Sequence, residues 1–164
     1  MANPAKFTGL IGSQPYYTAQ QPDVTQTSTV SSSPEILKTI TFTANEAMPF
    51  DGNRVEWVGT FRLLKSDESA FYVAVYINGN LIEQVVGIPA GATTGGNFQI
   101  SLRRRDAANF IYSSNIGFGV FGEPGGGLIN YAGADITIEL KGAVDSASNS
   151  IVSFDAELIG GGGY

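Results

Sequence analysis

The chain has no cysteine and no histidine among its 164 residues. Without cysteine there is no disulfide, no thiol nucleophile and no thiolate metal site. Without histidine the commonest general base and the commonest transition-metal ligand are gone as well. Charge is scarce: Asp, Glu, Lys and Arg make up 15% of the chain, against roughly 25% in an average soluble protein. The net charge of −6 lacks the basic footprint that a nucleic-acid binder needs. No apolar stretch approaches the length that spans a membrane. The opening residues, MANPAKFTGLIGSQ, carry no signal-peptide run. The expectation is a protein made and used without classical secretion, held by its core alone and binding neither nucleic acid nor membrane.

What is present is a β pattern behind a polar leader. Residues 1 to 33 include QPYYTAQQPDVTQTSTVSSS, with Pro15, Pro22 and a Ser/Thr run, and hold neither a period of 2 nor one of 3.6. They read as a linker or as an attachment arm that orders on a partner. Phe7, Leu10, Ile11, Tyr16 and Tyr17 are its candidate anchors. Residues 34 to 164 form the second unit. EILKTITFTA places Ile36, Ile40 and Phe42 on one face, interrupted by Lys38. NRVEWVGTFRLL lines up Val55, Trp57, Phe61 and Leu63. AFYVAVYI runs into Asn78-Gly79, a hairpin signal because both residues tolerate positive φ, and NLIEQVV returns. NFQISLRR, FIYSSNIGFGVF, ADITIELK and SIVSFDAELI complete the count, the last with Val152, Phe154, Ala156 and Leu158 facing inward. GIPAGATTGG and GEPGGG read as glycine-rich loops. The fold expected is all-β: an eight-stranded antiparallel jelly-roll sandwich with an extended N-terminal arm.

No residue pattern calls for a cofactor or metal. FDGN and KSDES offer oxygen ligands but miss the twelve-residue calcium-loop pattern. The glycine-rich loops do not continue into Gly-Lys-Ser/Thr or open a helix, so they do not read as phosphate cradles. Asp155 and Glu157 share one face of the last strand, whereas glycosidase chemistry wants carboxylates across a cleft. The expectation is that the chain is not an enzyme. Arg103, Arg104 and Arg105 form the densest charge run. In a strand Arg103 and Arg105 share a face, where they serve a partner contact or a solvated edge. Asp155 and Glu157 on a neighbouring subunit are natural counterparts. Tyr112, Tyr131 and Phe121 lie near strand ends or loops, the placement that sugar stacking would use.

The strand AFYVAVYI is apolar on both faces. Phe71, Val73, Val75 and Ile77 point one way, and Tyr72, Ala74 and Tyr76 the other. Tyrosine joins an apolar body to a polar handle, which suits a face covered by a partner. Tyr72, Ala74 and Tyr76 are therefore the candidate subunit interface, with another copy of the chain as the cover. Together with the closing strand SFDAELIGGGGY, residues 35 to 164 resemble the trimeric tumour necrosis factor-like jelly rolls. Phage and other virus proteins with a short arm and a jelly-roll head are similar. The resemblance implies assembly about a three-fold axis with aromatic residues of one sheet face at its centre, and attachment without catalysis. The leading expectation is a homotrimeric structural virion protein, of capsid decoration, cement or head-fibre type. Its arm would bind the major capsid protein or another virion component. The alternative is a receptor- or glycan-binding knob of a phage fibre or tail.

Overall fold

Alternating apolar and polar residues make strands that bury one face each, and two such sheets can satisfy each other. The computed structural model describes residues 5–6, 15–21, 25–27, 33–64, 69–87, 93–117, 125–131 and 135–161. Three strands belong to the leader: β1 Ala5–Lys6, β2 Pro15–Gln21 and β3 Thr25–Thr27. The rest are β4 Glu35–Thr43, β5 Arg54–Leu64, β6 Phe71–Ile77, β7 Asn80–Gly87, β8 Thr93–Arg104, β9 Asn109–Gly117, β10 Gly125–Asn130, β11 Asp135–Val144 and β12 Ser150–Gly161. A single turn of helix, α1 Ala44–Ala47, follows β4.

The small sheet has the order β4-β11-β6-β7, and the large sheet β1-β2-β12-β5-β8-β9-β10 with β3 also on β12. All pairings are antiparallel. The last two strands return beside the first two of the head, β11 beside β4 and β12 beside β5. The expected all-β sandwich is borne out, but from Glu35 onward it has nine strands rather than eight. The additional one is β10, which begins in the glycine run read as a loop. Glycine is depleted in strands, so propensity hid it. A Cβ at Gly127 would come within 2.9 Å of the Tyr112 ring and one at Gly125 within 2.8 Å of Ser114 Oγ. Close approach of β9 is what these glycines permit. β8 likewise begins at Thr93, inside the other expected loop.

Between the sheets lie Trp57, Phe61, Phe98, Phe110 and the inward aliphatics of β4, β6, β8 and β11. Trp57 and Phe98 meet at 4.7 Å between ring centroids, tilted by 54°, a contact worth about 0.5–1.5 kcal/mol beyond area burial. Phe71, Val73, Val75 and Ile77 are all inside, as their alternation requires. Asn78 and Gly79 take φ of 49° and 78°, the two-residue turn expected between β6 and β7. Asn78 Oδ1 also accepts from Thr137 N at 2.8 Å, tying the turn to β11.

Two register shifts overturn local expectations. In β4, Leu140 faces Lys38 while Lys141 faces Ile36, so Leu37 is an extra residue. Leu37 turns inward and Ile36, expected inside, stands 49% exposed. In β12, Ser153 faces Phe61 and Ala156 faces Gly59, so Phe154 and Asp155 together oppose Thr60. This bulge hands the inward positions from Ile151 and Ser153 to Ala156 and Leu158. Phe154 and Val152, expected in the inward row, fall outside that phase.

Candidate functional site: two outer faces of unlike chemistry

The outer face of the small sheet is built around β6. β6 lies between β11 and β7, and cross-strand register places Ala143 and Val86 beside Tyr72, Lys141 and Gln84 beside Ala74, and Glu139 and Leu81 beside Tyr76. Two residues at i and i+4 on a strand stand roughly 13 Å apart. The Tyr72 and Tyr76 hydroxyls nevertheless meet at 3.0 Å, so the rings lean toward each other across Ala74. Ala74 is fully buried although it points outward. Burial, the hydrogen bond to Tyr76 and the proximity of its hydroxyl push the Tyr72 phenol well above its ordinary value. Lys141 Nζ sits 4.6 Å from the Tyr76 ring centroid and 3.1 Å from the Glu139 carboxylate. Around this neutralised centre Ile36, Leu81 and Val86 are 49%, 48% and 60% exposed. An aromatic centre with a depleted charge count and an apolar rim has the composition of an interface core.

The outer face of the large sheet is polar along β5 and β8, with the exposed pair Ile111 and Leu128 at its β9–β10 edge. Outward positions on β5 are Arg54, Glu56, Val58, Thr60, Arg62 and Leu64. Those on β8 are Asn97, Gln99, Ser101 and Arg103, and those on β9 are Ile111, Ser113 and Asn115. The β12 bulge delivers Phe154 to this side, where the Arg62 guanidinium lies 5.6 Å from its ring centroid. A depression of about 410 Å³ is lined there by Thr60, Arg62, Gly95, Asn97 and Phe154, among others. A Cβ at Gly95 would meet no atom within 4 Å, so the depression is open above it, while one at Gly96 would strike the Phe61 ring at 2.5 Å. A second hollow of about 300 Å³ continues the strip between Arg54, Glu56, Gln99, Ser101 and Asn115.

The arginine run divides by face. Arg104 lies on the Leu102 side and closes one end of the sandwich. It donates to Asp51 Oδ1 at 3.1 Å, Asn45 Oδ1 at 3.0 Å, Met48 O at 2.9 Å and Pro49 O at 3.2 Å. Arg103 and Arg105 are exposed. Arg103 stands opposite Arg54, which has Glu56 at 3.8 Å. Asp155 is exposed and Glu157 half-buried opposite Val58. After Arg105 the chain turns on Asp106, whose carboxylate accepts from Ala108 N and Asn109 N, each at 2.9 Å.

The loop aromatics do not form a stacking platform. Tyr131 is buried, packs on Phe110 at 5.6 Å and donates to Asp106 O at 3.4 Å. Tyr112 points inward across Gly127. Phe121 lies outside the described residues, as do the arm anchors Phe7, Leu10 and Ile11. Tyr16 and Tyr17 fall in β2, which pairs with β12. The aromatic on a groove is Phe154 instead. No signal in the sequence marks it, because Val152, Phe154, Ala156 and Leu158 alternate without a break and only the pairing with β5 shows the change of phase. Among the described residues no three Asp or Glu side chains gather as a metal site would need, and no helix is long and apolar enough to cross a membrane.

No family model matches the chain, and no curated protein matches it. One solved structure similar to it is described as the CBM2 module of Lactobacillus casei BL23 phage J-1 evolved Dit. It is 10% identical, covers 74% of this chain and 67% of its own, and superposes with a TM-score of 0.33. A likeness that remote carries no argument about family or activity, so function has to be read from the two faces themselves.

Proposed function

We propose that the chain is a structural virion protein, of capsid decoration, cement or head-fibre type, whose β-sandwich self-associates through the outer face of the small sheet. The observation that carries this reading is the Tyr72–Tyr76 bridge over Ala74, ringed by exposed Ile36, Leu81 and Val86. Such a stripe left uncovered in a particle would be an association hazard. A second copy of the chain covers it at little electrostatic cost, because Glu139 and Lys141 already neutralise each other. The trimeric arrangement and the virion setting rest on the resemblance to armed jelly-roll heads. In this reading residues 1 to 33 reach the capsid or another virion component. Strands β1 and β2 lie along the β12 side of the large sheet, and β3 pairs with β12 and also meets β4.

Light scattering on the full chain tests the assembly. The expected result is a trimer that Leu81→Lys or Val86→Lys dissociates, since both residues are exposed and their replacement leaves the core intact. A wild-type chain that stays monomeric at micromolar concentration overturns the reading.

A further inference from the structure

The large sheet's outer face is not explained by self-association through the small one. Its groove is lined by groups that match a sugar ring. A pyranose offers an apolar C–H face and a rim of hydroxyls that both donate and accept. Phe154 supplies a ring for the first. Asn97 and Gln99 supply amides that donate and accept at once, and Thr60 adds a hydroxyl. Among the described residues the side chains of Thr60, Asn97 and Gln99 make no hydrogen bond. The depression of about 410 Å³ falls inside the roughly 300–1,000 Å³ range of small-ligand sites. It exists because of two local devices: the bulge that turns Phe154 outward, and Gly95, which leaves open space where a large side chain would stand.

Charge narrows the ligand. Along β5, β8 and β12 the outward cations are Arg54, Arg62 and Arg103, and the outward anions are Glu56, Asp155 and Glu157. These balance, so the face has no net attraction for a polyanion. We propose that this groove binds a neutral polysaccharide. One pyranose ring rests on Phe154 with its hydroxyls toward Asn97 and Arg62, and the chain continues past Gln99 into the adjoining hollow. The site is independent of the small-sheet interface, so either can fail without the other.

The test is titration calorimetry of the full-length protein against neutral glucan, mannan and galactan hexasaccharides, with an oligogalacturonate as the acidic probe. The expected result is saturable binding of at least one neutral probe, weakened about tenfold or more by Phe154→Ala. Because the Phe154 ring also packs at the bulge, Gly95→Leu is the second variant. It fills the groove where nothing stands within 4 Å and should abolish binding with unchanged melting temperature and unchanged oligomeric state. Binding that Gly95→Leu leaves intact overturns the location. Binding of the acidic probe alone, or of no probe at millimolar concentration, overturns the proposal.

Discussion

The hydroxyls of Tyr72 and Tyr76 stand 3.0 Å apart above Ala74, which lies between them on the same strand and is wholly enclosed. The bridge ties the two rings together across Ala74, so the pair covers the middle of the small sheet's outer face. Replacing Tyr72 by Phe removes the bridge and keeps the ring. The expected cost is about 0.5–1.5 kcal/mol, read as a lower denaturant midpoint with an unchanged slope.

The same bridge has a pH signature. The phenol of Tyr72 is raised above its ordinary value of 10.0, chiefly by burial and then by Tyr76. A raised folded-state value means that the folded protein holds the proton more tightly than the unfolded one. Its contribution is complete below about pH 10 and is lost as pH rises from there toward the folded value. Phenolate absorbance should show a late-titrating component, and Tyr72→Phe should remove it.

Arg104 should behave unlike its two neighbours. Its side chain is 12% exposed and bonded to Asp51 and to the backbone of Met48 and Pro49. Arg104→Ala should cost roughly 2–4 kcal/mol of unfolding free energy. Lysine should not restore it, since one ammonium cannot span those acceptors. Arg103→Ala and Arg105→Ala should stay within about 0.5 kcal/mol.

The dipeptide Gly95-Gly96 offers a control within two adjacent positions. A methyl at Gly96 meets the Phe61 ring at 2.5 Å and Gly117 O at 2.9 Å, whereas one at Gly95 meets nothing. Gly96→Ala should lower stability by about 2 kcal/mol, and Gly95→Ala should change it by less than about 0.5 kcal/mol. Thermal melts of the two variants separate these outcomes.

Acid should loosen the turn after Arg105. Hydrogen bonds from Ala108 N and the Asn109 side chain hold the Asp106 carboxyl below its ordinary value of 3.8. A depressed value gives stabilisation that is present above that pH and lost as pH falls toward the folded value. The protection of the Ala108 and Asn109 amides, taken relative to the intrinsic exchange rate at each pH, should therefore fall in acid, and Asp106→Ala should abolish that dependence.

Alternation in the sequence by itself determined which residues of β6 share a side, because strand side chains must alternate whatever the neighbours are, and the tyrosine hydroxyls marked the side left outside the core. The Asn78-Gly79 turn was equally legible, since few residue pairs accept two positive φ angles. The same reasoning set Val55, Trp57, Phe61 and Leu63 on one face and Arg104 on the Leu102 side. Tertiary structure decided the rest. An extra residue in β4 exchanged Ile36 for Leu37, and one in β12 turned Phe154 out of the core and onto a groove. A bulge is a mismatch between two strands, so no single strand's pattern contains it. β10 was invisible for a related reason: its glycines have no strand preference of their own and pair because Ser114 and Tyr112 leave room only for glycine. Both outer faces are assembled from strands far apart in the chain. Their separate chemistries, aromatic on one side and amide-rich on the other, therefore exist only once the sheets have formed.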